Sequence, residues 1–133
     1  MHLLNADLHC HSTVSDGWLD PADVVRRAQA NGVELLALTD HDELSGLDVA
    51  ARTAAELGVG FVPGVEISVS FANDSVHIVG LAIDPCAPAI VTGLQQLRAG
   101  REARAQRIAA ALAEVGIQGA LEGAHQFARN PAL

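Results

Sequence analysis

Asp7, His9 and His11 alternate along the chain, so in an extended segment their three side chains point to one face. Two imidazoles on one face can share a divalent cation; taken alone, such a pair is equally an ordinary solvated strand end. A second group of the same kind, Asp40-His41-Asp42, closes a nearly continuous apolar run. Glu66 lies in a pattern where Val65, Ile67, Val69 and Phe71 form one face and Glu66, Ser68 and Ser70 the other. His77 shares its face with Val79 and Leu81. Each of these two has a plain structural reading, Glu66 as an exposed residue on a half-solvated sheet and His77 as a core imidazole bonded to a backbone carbonyl. Together with Asp16, the set offers imidazole and carboxylate ligands from four strands and no cysteine, a mixture that suits Zn, Mn or Fe better than Ca or a thiolate site. Closely spaced divalent ions bridged by a carboxylate can activate a water and clamp a phosphoryl oxygen, so the chemistry favoured is metal-assisted phosphate-ester hydrolysis.

Elements of an α/β fold must position these residues. Leu3 to Leu8 is a short apolar run, and Gly17 to Pro21 is a loop that leads into a helix. Asp20 is the expected N-cap and Pro21 the first helical residue; Val24, Val25 and Ala28 give the stripe, and Asn31-Gly32 the stop. Val33 to Leu38 is nearly all apolar, as in a strand of a parallel sheet covered on both faces. Ser45 is the expected cap of a second helix, with Leu47, Ala50, Ala51, Ala54 and Leu57 at helical spacing until Gly58. Two further strands, Gly60 to Phe71 and Ser75 to Ile83, flank a hairpin turn at Ala72-Asn73-Asp74. From Ile90 to Val115 the pattern is helical, with Leu94, Leu97, Ile108, Leu112 and Val115 on one stripe, and from Gly116 onward no period is evident. Strand, helix, strand, helix, strand opens a parallel-sheet fold, in which chemistry collects at the C-terminal ends of strands.

Composition narrows the functions. The 133 residues, half of them apolar, are enough for one domain with a sizeable core. Sixteen acidic against eight basic residues give a formal charge of −8, which opposes general adhesion to duplex DNA or an anionic membrane. One Trp, three Phe and no Tyr leave few platforms for base stacking. Cys10 and Cys86 form no C-x-x-C pair and are read as reduced thiols. The N-terminus meets Asp7 before an apolar signal core forms, and no stretch approaches the ~20 apolar residues of a membrane span, so a cytoplasmic location is expected.

Asp7-Leu8-His9-Cys10-His11-Ser12, Thr39-Asp40-His41-Asp42, Gly64-Val65-Glu66-Ile67-Ser68 and His77-Ile78-Val79-Gly80 resemble successive motifs of the PHP family, the polymerase and histidinol phosphatase domain. The resemblance runs to about Asp84 and is nearest to the TrpH-like group, which includes nucleoside 3′,5′-bisphosphate phosphatases and 5′-to-3′ exoribonucleases acting on short RNA. It implies an α/β fold, residues 1–86 being the N-terminal part of a distorted (β/α)7 barrel and residues 87–133 the start of a helical insertion or cap. It implies up to three divalent metal ions, manganese or else zinc or iron. His9, His11 and Glu66 would hold one, Asp16 and His41 a second, and Glu66 with His77 a third, Glu66 being the bridge. Asp7 and Asp40 would fix imidazole orientation from behind. The implied nucleophile is a metal-activated hydroxide, so no side chain need attack phosphorus.

Family members complete the site with a further His and an Asp-x-His pair from later strands, which this sequence does not supply; His125 is an ordinary surface or packing residue. The chain is also short of the ~200 residues and more of a closed α/β barrel. Arg98, Arg101, Arg104 and Arg107 recur every third residue, either a solvated helix face pairing with Glu102 and Glu114 or a strip whose Arg101 and Arg104 meet a substrate phosphate that is not cleaved. Three readings follow: a phosphoesterase acting on a nucleoside bisphosphate or a short RNA 5′ end, a histidinol-phosphatase-like monoesterase, or a catalytically incomplete metal-binding or interaction fragment. In the last, an open sheet edge invites self-association.

Overall fold

The structure is a computed structural model that describes residues 3–72 and 74–128. Its elements run β1 (Ala6–Cys10), α1 (Pro21–Ala30), β2 (Leu35–Leu38), α2 (Leu47–Leu57), β3 (Gly60–Phe71), β4 (Asp74–Leu81), α3 (Pro88–Glu114) and α4 (Ala120–Phe127). The strands form one sheet in the order β1-β2-β3-β4. β1, β2 and the first part of β3 are parallel, and the remainder of β3 pairs antiparallel with β4. This is the α/β class the sequence indicates, a curled sheet with helices between its parallel strands.

Local chemistry explains most boundaries. The Asp20 carboxylate accepts the Asp23 N–H at 2.9 Å and Pro21 opens α1, as its sequence requires. Val25 and Ala28 of α1, and Leu47, Ala50 and Ala54 of α2, are buried against Leu36, Leu38 and Val59 in one core. α2 starts differently from expectation. Gly46, not Ser45, precedes it, because the Glu43 carboxylate takes the N–H groups of Leu44 at 2.8 Å and Ser45 at 3.1 Å and folds that turn by itself. β3 changes partners at Gly64: a Cβ there would lie 2.7 Å from Thr39 Cγ2 and 3.1 Å from the Leu38 and Gly80 oxygens, so only glycine lets the two ladders meet.

β1 begins at Ala6, leaving Leu3 and Leu4 exposed, and β2 begins at Leu35. Asn73 of the expected hairpin turn lies outside the described residues, as do residues 129–133 of the expected cap; Phe71 and Asp74, on either side of the turn, face one another across the ladder. α3 is 27 residues long and buries only Leu94, so Ile108 and Val115 of its expected apolar stripe stand in solvent. α4, which carries exposed His125, is eight residues long and has no fully buried residue. Both cysteines are free thiols. Cys10 donates to the Ala37 carbonyl at 3.2 Å, and burial, followed by the nearby Asp7 and Asp40 carboxylates, pushes its thiol up to about 12. Among the described residues no helix is long and apolar enough to cross a membrane.

Candidate metal centre

The centre forms where β1 and β2 end beside the middle of β3, with β4 running alongside. His9 belongs to β1 and His11 follows it, after which the chain folds back through Ser12 to Leu19. Asp40 holds that loop. Its Oδ1 accepts the Ser12 N–H at 2.7 Å and the Ser15 hydroxyl at 2.6 Å, and its Oδ2 accepts the Ser12 hydroxyl at 2.7 Å. All three residues are buried. The return is so tight that a Cβ at Gly17 would sit 2.4 Å from the His11 carbonyl oxygen. The loop delivers Asp16, whose Oδ1 is 2.7 Å from His11 Nδ1 and whose Oδ2 is 3.7 Å from His41 Nε2.

Glu66 is the middle of the arrangement. It is 6% exposed, and its backbone bridges to His41 beyond the end of β2. Its Oε2 lies 2.8 Å from His11 Nε2, 2.9 Å from His9 Nε2 and 3.7 Å from His41 Nε2, while its Oε1 lies 3.1 Å from His77 Nδ1. The rings follow one another, with centroids 5.2 Å apart for His9 and His11, 4.5 Å for His11 and His41, and 4.8 Å for His41 and His77. Three sets could each hold a metal ion: His9, His11 and Glu66; His11, Asp16 and His41; and His41, Glu66 and His77. Four imidazole nitrogens converging on one carboxylate fit cation coordination, since neutral imidazoles turned inward offer lone pairs that only a cation or proton can satisfy.

The electrostatics agree with this donor set. Burial pushes the Glu66 carboxyl up, but the His9 hydrogen bond and the charges of His41, His9 and His11 outweigh it and hold the group below the usual carboxylate range. Asp16 behaves likewise: burial raises it, while the His11 hydrogen bond, then the His11 and His41 charges and its own backbone N–H, bring it down. His41 is lowered, first by burial and then by His11 and His77, against the raising effect of Glu66 and Asp16. Its Nδ1 is buried with no hydrogen-bond partner.

The structure thus gathers His9, His11, Asp16, His41, Glu66 and His77. Glu66 is buried and not on a solvated face, and His77 is exposed and turned to Glu66, not to a backbone carbonyl in the core. Among the described residues, the two carboxylates expected behind the imidazoles bond to backbone and serine groups and to no ring. Asp7 accepts the His9 backbone N–H at 3.3 Å, and Asp40 is fully engaged with Ser12 and Ser15, so it orders the ligand-bearing loop and no ring. Arg101 and Arg104 lie beside the centre. Arg101 donates to the Asp42 carboxylate and approaches the Ser68 hydroxyl at 3.5 Å, while Arg104 approaches the Ser75 hydroxyl at 3.4 Å. Glu102, an expected partner of the strip, accepts from Gln106. Sequence reasoning assigned nothing to Asp42, Ser12 or Ser15; only the second Asp of Thr39-Asp40-His41-Asp42 carried a signal.

The family described as the PHP domain matches residues 7–97. A 3′,5′-nucleoside bisphosphate phosphatase of Chromobacterium violaceum is 49% identical over 131 residues, 98% of this chain and 46% of that protein. A 5′-3′ exoribonuclease of Haemophilus influenzae is 47% identical over 122 residues, 92% of this chain and 44% of that protein. A solved Chromobacterium violaceum structure, described as an amidohydrolase with bound sulfate and no metal, superposes with a TM-score of 0.85 at 50% identity, covering 96% of this chain and 45% of that one. The chain spans about half the length of the curated relatives it matches.

Proposed function

The chain belongs to the PHP domain family, and from that premise we propose that it forms the N-terminal part of a metal-dependent phosphoesterase. The substrate is a phosphate monoester of a small nucleotide, a 3′,5′-bisphosphate first and a short RNA 5′ end second. The observation that carries the reading is the convergence of four imidazole nitrogens on Glu66. Similarity to the Chromobacterium violaceum phosphatase and the Haemophilus influenzae exoribonuclease supports the choice of substrates.

His9, His11, Asp16, His41, Glu66 and His77 are the proposed metal ligands, for manganese or else zinc or iron. Divalent ions bound there would supply Lewis acidity to a phosphoryl oxygen and lower the pKa of a water. The chain's own residues do the rest. Burial keeps the His41 imidazole neutral, and the lowered Glu66 and Asp16 carboxyls stay anionic, so the donors are ready at neutral pH. Asp40 holds the loop that presents His11 and Asp16. Arg101 and Arg104 bind phosphate, and the segment that starts at residue 87 acts as a cap, its helix α3 lying beside the site. Free thiols at Cys10 and Cys86 accord with a cytoplasmic setting.

The test is metal content by mass spectrometry on the full-length protein, paired with phosphate release from a nucleoside 3′,5′-bisphosphate in added manganese. His9→Ala and Glu66→Ala are expected to lower metal stoichiometry and to cut turnover on the order of a hundredfold or more. Unchanged stoichiometry in both variants would remove the ligand assignment, and release from no monoester would remove the function.

A further inference from the structure

Asp42 is 0% exposed and adopts φ 51°, the left-handed region that a non-glycine residue enters only when its surroundings hold it there. Every polar atom it has is engaged. Its N–H donates to the Glu66 carbonyl at 2.9 Å, its Oδ1 accepts the Ser68 N–H at 2.7 Å, its Oδ2 accepts Arg101 Nη2, and its carbonyl accepts Arg98 Nη1. With both carboxylate oxygens spent and no solvent access, Asp42 is not a further metal ligand. It is instead the residue through which α3 is fastened to the strand ends. Leu94, Arg98 and Arg101 recur at helical spacing, and the second and third of them both end on Asp42.

Arg101 uses only Nη2 in its bonds to Asp42 and Ser68, which leaves its Nε and Nη1 hydrogens without a protein partner among the described residues. Arg101 lines a recess of about 230 Å³ together with Ser68, Ser70, Ser75, His77 and Arg104, and Asp42, its carboxylate already paired with Arg101, forms part of the same wall. The recess therefore offers guanidinium and hydroxyl donors, and His77 joins it to the metal centre, its Nδ1 being 3.1 Å from Glu66. Resting on the phosphoesterase reading above, we propose that Asp42 is a positioning residue: it pins one edge of the Arg101 guanidinium so that the other edge binds a second, uncleaved phosphate of the substrate. A fork held on one side by a buried carboxylate loses little rotamer freedom when it meets a phosphate, whereas an untethered arginine on a solvated helix loses all of it.

The experiment is a calorimetric titration of the full-length, metal-free protein with adenosine 3′,5′-bisphosphate. Asp42→Asn keeps the shape and the acceptor for Ser68 but removes the charge that holds Arg101. It is expected to raise Kd on the order of tenfold to a hundredfold. In an Arg101→Ala background the same substitution is expected to change Kd no further, because a residue that acts through Arg101 has nothing left to position. Arg101→Lys, expected to bind as weakly as Arg101→Ala because one ammonium cannot serve Asp42 and a phosphate as a fork does, decides the matter should Asp42→Asn fail to fold. Equal losses from Asp42→Asn in both backgrounds, wild-type affinity in Arg101→Lys, or no binding by the wild-type protein would each overturn the proposal. The titration needs no turnover, so failure to release phosphate would count against the hydrolytic reading and leave the Asp42 result standing by itself.

Discussion

The strand ends that gather His9, His11, His41 and Glu66 face α3 with its Arg98, Arg101 and Arg104, and the two sides are held by different forces. Behind the strand ends, Leu36 and Leu38 of β2 are closed in by α1 and α2, and β2 with the buried middle of β3 leads directly into His41 and Glu66. α3 fully buries one leucine along 27 residues and is fastened at Arg98 and Arg101 by charged hydrogen bonds to Asp42. Apolar burial is non-directional and indifferent to salt, while contacts between partly exposed charges are directional and screened. The metal side should be rigid and the helix side adjustable, which suits a centre that must keep its geometry opposite a surface that must admit a substrate.

The hardest blow to this contrast would come from the core. Leu36→Ala, at a fully buried position, is expected to cost about 2–5 kcal/mol in chemical denaturation and to lower metal content along with stability. A loss below 1 kcal/mol would mean that the strands do not depend on that core. A smaller effect on the same side is expected from Asp20→Ala, about 1 kcal/mol, because it strips the cap from α1 and leaves the Asp23 N–H unsatisfied. Smallest is the salt response: raising ionic strength to about 1 M should weaken α3 docking by a few tenths of a kcal/mol. Hydrogen exchange would show it as severalfold faster exchange through α3 with β2 unchanged. Equal acceleration in both elements would erase the distinction.

The two sides also differed in how far the sequence revealed them. Alternating Asp7, His9 and His11, the apolar run into Thr39-Asp40-His41-Asp42, and the Asp20-Pro21 start of α1 are local patterns, and the structure has the strand ends and the helix they imply. What escaped was set by contacts distant in sequence. Asp40 turns to Ser12 and Ser15, 28 and 25 residues away, and not to a ring. Arg101 is claimed by Asp42 across 59 residues, so no helical period could say whether the strip was solvated. His77, read from neighbours Val79 and Leu81 as a core imidazole, is turned to Glu66 and left exposed, because β4 is the outermost strand among the described residues and nothing there covers that face. α4 escaped because it is only about two turns long, too short for its apolar positions to repeat.

The glycines divide along the same line and say where this sequence is free to drift. At position 64 a methyl group would strike Thr39, and at position 17 it would strike the backbone of His11, so a randomised library should return one letter at each. Gly93 and Gly100 of α3 have nothing within 4 Å, and there any of the larger letters would fit. An evolving lineage could therefore rewrite the helix beside the recess many times over, and with it the choice of what is bound, without disturbing a single wall of the centre.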